Sequence, residues 1–115
     1  MGDFTPKTPI SIQIRKIIFE KFNDTETRFT NDEIFEIMKK NGDIDNSYTI
    51  DDMESYFNEI CKCELARNIG QNFTTIWFKL FTPIQKLHCK SCNFDIYLGN
   101  LEAQVCPNPN CKATI

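Results

Sequence analysis

The chain has 115 residues, of which 41% are hydrophobic and 25% charged, with a formal net charge of −3. That length suits one ordinary domain or a small domain with a mini-domain attached, and the acidic balance does not advertise a nucleic-acid binder. No apolar run approaches the ~20 residues that span a bilayer, and MGDFTPKTPI lacks the basic-then-apolar order of a signal peptide.

The chain therefore reads as cytoplasmic, with no membrane partner. In that compartment paired cysteines point to metal or redox chemistry rather than to disulfides. The charge is uneven. Residues 1–81 carry ten Lys/Arg and fourteen Asp/Glu, and residues 82–115 carry three and two. The acidic excess lies between Asp43 and Glu64, which holds seven acids and one lysine.

Residues 1–7 read as a loose arm. The first helix is expected to start with Thr8 as cap and Pro9 at the first helical position, where a missing N–H costs little. Ile10, Ile14, Ile17, Ile18 and Phe22 follow at helical spacing, and Asn23-Asp24-Thr25 ends the run. Thr30 and Glu33 then fit a capping box, with Phe29 and Ile34 as its hydrophobic staple. Ile34, Phe35, Ile37 and Met38 supply the apolar face, and Gly42 the stop.

The third helix repeats the pattern over 49–62. Thr49 is its cap, Asp52 sits in the box position, and Tyr48 and Met53 form the staple. Met53, Tyr56, Phe57, Ile60 and Cys61 make an apolar stripe. Two strands come next, Glu64–Ile69 and Phe73–Phe81, with Gly70-Gln71-Asn72 as the turn between them. Thr82-Pro83 closes the second, because proline cannot continue a central ladder. Shorter strand-like pieces, Phe94–Leu98 and Glu102–Val105, lie among the cysteines of the last segment.

Three helices followed by a hairpin is an order that resembles the winged helix-turn-helix superfamily over residues 9–81. The resemblance rests on element order and capping. It implies that helix 49–62 enters the DNA major groove and that the hairpin is the wing. On that reading the outward face of the third helix carries Asp51, Glu54, Ser55, Asn58, Glu59 and Lys62. Ser55 and Asn58 could read base edges, Lys62 could meet phosphate, and Arg67 and Lys79 could make the wing cationic. Three acids on the same face work against the phosphate backbone. Arg15, Lys16, Lys21, Arg28, Lys39 and Lys40 lie on or beside the first two helices, as a second basic patch or as ordinary solvated positions.

The last third of the chain carries Cys89-x2-Cys92-x13-Cys106-x4-Cys111. Two intervening residues let both sulfurs of a pair meet one ion, and Pro107 and Pro109 stiffen the longer turn. Four thiolates at ~2.3 Å make a closed tetrahedral site, hence one structural zinc with no open position. Iron is the alternative, because four-cysteine sites accept both. A segment of this size cannot stabilise itself by apolar burial alone, and metal binding couples to its folding. The segment resembles a zinc ribbon or rubredoxin-like knuckle pair, its second knuckle departing by longer spacing and by lacking glycine after the last cysteine. His88, beside Cys89, reads as exposed or supporting.

Cys61-Lys62-Cys63 is somewhat similar to the Cys-x-Cys segment of arsenic- and zinc-sensing repressors. There the pair precedes the recognition helix; here it follows it. The plainer reading makes both cysteines small hydrophobes. One histidine, no Gly-rich phosphate loop and no nucleophile elbow leave little machinery for an enzyme.

The expected architecture is thus α+β, a winged helix-turn-helix over residues 8–82 followed by a small zinc ribbon over 84–115. The expected function is that of a DNA-binding transcription regulator with double-stranded DNA as partner. Small archaeal regulators that join a winged helix to a rubredoxin-like ribbon resemble the chain in order and size. The same layout is similar to archaeal transcription factor E. That likeness implies the alternative, a module contacting RNA polymerase or another transcription protein. A homodimer is open on either reading.

Overall fold

The computed structural model describes residues 9–42, 44–45, 47–108 and 111–114. Helix α1 spans Ile10–Lys21, strand β1 Phe29–Thr30 and helix α2 Asn31–Asn41. A 3-10 turn at Asp51–Met53 leads into helix α3, Glu54–Lys62. Strands β2 (Ala66–Asn72) and β3 (Thr75–Leu80) form a hairpin, and β4 (Ile84–His88) and β5 (Asp95–Gly99) form a second one. The class is mixed α+β. The first sheet has strand order β1-β3-β2, all antiparallel. With α2 and α3 against it and α1 packed on α2, this is the arrangement of a winged helix, and β4-β5 forms the separate two-stranded sheet that follows.

Local chemistry sets the helix ends. At α2 the Thr30 hydroxyl accepts from the Glu33 N–H at 3.1 Å, while the Glu33 carboxylate accepts from the Thr30 N–H at 3.0 Å. Gly42 closes α2 in the left-handed region at φ 76°. Thr49 and Asp52 make the same reciprocal box, with the Thr49 N–H donating at 2.8 Å. The first turn after it is 3-10, so α3 proper starts at Glu54 rather than near Thr49. At α1, Pro9 is the cap residue with ψ 148° and not the first helical position; Thr8 lies outside the described residues.

The core of the first unit is built on phenylalanine. Phe22, Phe29, Phe78 and Phe57 stack in sequence with ring centroids 5.6, 5.4 and 5.7 Å apart, geometry favourable beyond simple burial. Strand β1 has only two residues, and the side chain of Asn31 extends its role. The Asn31 amide donates to Thr74 O and its oxygen accepts from Ile76 N–H, each at 2.8 Å. The Thr75 hydroxyl also donates to Asp32.

The hairpin turns later than its composition suggests. Gly70 sits inside β2 at a register shift between Asn68 and Gly70, and its N–H donates to the Asn68 side chain at 2.9 Å. The bulge absorbs the glycine, and the chain reverses at Phe73-Thr74, with Phe73 at φ 56°. Further on, Ile84–His88 is a strand that the sequence did not announce. Glu102–Val105 is not a strand, although Val105 makes one isolated bridge with Thr114.

Helix α1 is buried on two sides. Ile14 faces α3, sharing a small cleft with Tyr56 and Ile60. Ile12, Arg15 and Phe19 face the β4-β5 sheet, where Phe19 and Tyr97 have centroids 5.2 Å apart. Asn23, just beyond α1, clamps the start of β4: its oxygen accepts from Ile84 N–H at 2.6 Å and its amide donates to Ile84 O at 3.1 Å. The buried residues form one cluster running from Ile12 to Cys106. Among the described residues no helix is long and apolar enough to cross a membrane.

Candidate metal centre and nucleic-acid face

The first cysteine pair lies in the loop between β4 and β5. Cys89 N–H donates to Phe94 O at 3.0 Å, and Asn93 N–H to Cys89 O at 2.8 Å. The second pair repeats this closure with a longer loop. Cys106 N–H donates to Ala113 O at 2.8 Å, and Cys111 and Lys112 N–H both donate to Asn108 O, at 2.9 and 3.1 Å. In each loop the residue after the second cysteine is left-handed, Asn93 at φ 63° and Lys112 at φ 53°. Asparagine tolerates that region, whereas lysine is strained in it.

The loops bring Cys89, Cys92, Cys106 and Cys111 together, with all four sulfurs within 4.8 Å of one another. The sulfurs of Cys89 and Cys111 are 3.7 Å apart, as are those of Cys92 and Cys106. That is far beyond a disulfide bond of about 2.05 Å, and the six cysteines are free thiols. A tetrahedron with metal–sulfur bonds of ~2.3 Å has edges of about 3.8 Å, so the four cysteines can hold one zinc ion. Cys89 and Cys106 are buried and the other two half-buried; four thiolates would fill a tetrahedral zinc site.

Backbone N–H groups of Cys92 and Ser91 pull the Cys89 thiol down to about 6, toward the thiolate a metal needs. Burial pushes Cys106 up to about 12; a metal ion would reverse that balance. His88 is not part of the cluster. Its ring hydrogen-bonds Asp95 at 3.2 Å.

Cys63 belongs to a different node. Arg15, on α1, is buried and forms two hydrogen bonds to the Glu102 carboxylate, at 2.8 and 2.7 Å, and one to Tyr97 O at 2.8 Å. Its second terminal nitrogen also donates to Cys63 Sγ at 3.3 Å. Burial works against the guanidinium charge, but Glu102 outweighs it and raises the Arg15 pKa. Burial also pushes the Cys63 thiol up to about 11. Arg15 is therefore an internal tie and not part of a basic surface patch. Cys61 is half-buried and packs against the core.

Ser55, Asn58 and Lys62 are exposed on α3 and share one stripe at i, i+3 and i+7. Asp51, Glu54 and Glu59 are exposed on the same helix or its 3-10 lead-in. Arg67 is exposed and stands opposite Lys79 in the hairpin register. The Lys79 side chain is only 22% exposed and lies 3.8 Å from Glu26, so its charge is partly answered within the chain. The five residues thus form two groups, one on α3 and one on the sheet.

No protein-family model matches the sequence, and no curated protein matches it. Two solved structures are similar in shape. One, described as "Structure of Prokaryotic Transcription Factors", has 15% identity and a TM-score of 0.48, covering 83% of this chain and 71% of that one. The other is FurB from M. tuberculosis, a zinc uptake regulator, with 12% identity and a TM-score of 0.42, covering 76% and 64%. Likeness at this level carries nothing about what this chain binds.

Proposed function

We propose that the chain is a DNA-binding transcription regulator whose zinc is structural, acting by recognition and not by catalysis. The observation that carries the reading is the exposed stripe Ser55-Asn58-Lys62 on α3, followed directly by Arg67 on the hairpin. Hydroxyl and amide groups at that spacing suit base edges, and the cations suit phosphates. Six free thiols suit a reducing compartment. Binding of a labelled random-sequence duplex at two salt concentrations tests it. The expected result is a negative salt slope, reduced by about one in Lys62→Ala and in Arg67→Ala. No binding at low salt would overturn it.

A second reading, a protein-interaction module of the transcription machinery, is favoured by a specific observation. Asp51, Asp52, Glu54 and Glu59 are all exposed on or at the start of α3, and carboxylates there oppose a phosphate backbone.

A further inference from the structure

The tip of the β2-β3 hairpin carries a side chain that the fold does not use. Phe73 is 89% exposed, and its backbone lies in the left-handed region. A bulky residue is strained there, and glycine or asparagine would make the same turn more easily. Neither burial nor turn chemistry accounts for the ring.

Phe73 forms one wall of a cleft of about 100 Å³ between the hairpin tip, the start of α2 and the start of α3. Its apolar lining is Phe73 with Ile50, Phe57 and Ile76, and its acidic rim is Asp51 and Glu54. Among the described residues, no lysine or arginine lines it. Asn31 braces the hairpin against α2 at the back of the cleft, its side chain spent on Thr74 and Ile76. The volume suits one side chain, being well below the ~300–1,000 Å³ of a small-molecule pocket.

We propose that this cleft docks a single apolar side chain from a lysine- or arginine-bearing segment of a partner protein. The anchor covers Phe73 and Ile76, and the flanking cations meet Asp51 and Glu54. An apolar anchor within a charged rim is the usual anatomy of an interaction hot spot. Nucleic acid fits less well, because phosphates would meet two carboxylates. The inference rests on the protein-interaction reading and gives it a site. It is separable from DNA binding, since Ser55, Asn58, Lys62, Arg67 and Lys79 do not line the cleft.

The test pans the full zinc-loaded chain against a displayed library of random dodecapeptides. Enriched peptides should carry an apolar residue close to two or more Lys/Arg. A labelled synthetic copy should lose about tenfold or more in affinity with Phe73→Ala, but not with Phe73→Tyr. The pair Asp51→Lys and Glu54→Lys should abolish binding, and a peptide with its cations changed to Glu should regain it. Unchanged circular dichroism and metal content show that each variant is folded. Neutral or acidic peptides, no enrichment, or equal binding by Phe73→Ala would overturn the proposal. So would duplex DNA displacing the peptide, or self-association that Phe73→Ala abolishes. A failed salt-slope experiment with successful panning would remove the DNA reading and leave this one standing.

Discussion

Arg15 and Glu102 form a two-pronged ion pair whose side chains are 5% and 4% exposed, joining the first helix to the loop after the last strand. A pair this deeply buried gains Coulomb energy but loses hydration on both sides, so its net worth is small while the cost of breaking it is large. Glu102→Gln or Arg15→Met alone should destabilise the chain by about 3–5 kcal/mol, measured by urea unfolding. Arg15→Met with Glu102→Gln should cost clearly less than the sum of the two single losses. Additive losses in the double variant would show that the pair is not coupled.

The metal centre gives the second expectation. The chain should carry one zinc, lost on Cys89→Ser or with a strong chelator. Structural zinc contributes roughly 10–16 kcal/mol of apparent binding free energy in small peptides. Its loss should therefore unfold β4-β5 and lower the melting temperature of the rest, because Ile96, Tyr97 and Leu98 belong to the shared core. Elemental analysis with a thermal melt checks both parts. Full metal retention in Cys89→Ser would remove the assignment.

Non-glycine residues in left-handed positions give the third. Glu64, at φ 68°, follows α3 where Leu65 N–H reaches Ile60 O at 3.1 Å, a helix stop that glycine usually fills. Lys112 holds the matching place after Cys111. Glu64→Gly and Lys112→Gly should each raise stability by up to about 1 kcal/mol, the relief of strain exceeding glycine's entropic cost. A lower melting temperature in both would contradict the backbone account.

The Cys63 thiol gives a pH dependence. Its pKa is raised from 9.0 to about 11 in the folded chain, so the folded state holds the proton more tightly than the unfolded one. The associated stability is present below about pH 9 and is lost as pH rises toward about 11. Cys63→Ser keeps a hydrogen-bonding group without that titration. The difference between wild-type and Cys63→Ser unfolding curves should be flat at neutral pH and narrow above pH 9. A constant difference up to pH 11 would show that Cys63 is not the titrating group.

What could be read from the residues depended on how local the cause was. The Thr30/Glu33 box, the Gly42 stop and the four cysteines each rest on groups a few residues apart or on strict spacing, and all are in place. The turn was misplaced because Gly70-Gln71-Asn72 has turn composition, while the bulge at Asn68 needs a partner strand to reveal it. Arg15 reads as a surface cation in the sequence because its counter-ion lies 87 positions away. The apolar face read for this helix is Ile10, Ile14, Ile17, Ile18 and Phe22, and nothing local says that the side with Ile12, Arg15 and Phe19 is covered as well. Ile84–His88 has no strong alternation and becomes a strand only through its pairing with Asp95–Gly99.

The position of α1 between the other helices and the β4-β5 sheet has a consequence for how the molecule could be cut. A sequence boundary at Thr82-Pro83 looks like a place to separate two cassettes. A fragment ending there would strand a guanidinium in an apolar wall, bare Phe19 where Tyr97 now lies against it, and leave Asn23 with no backbone to hold. The ribbon is the outer wall of α1, so trimming or swapping it would require rebuilding one face of that helix.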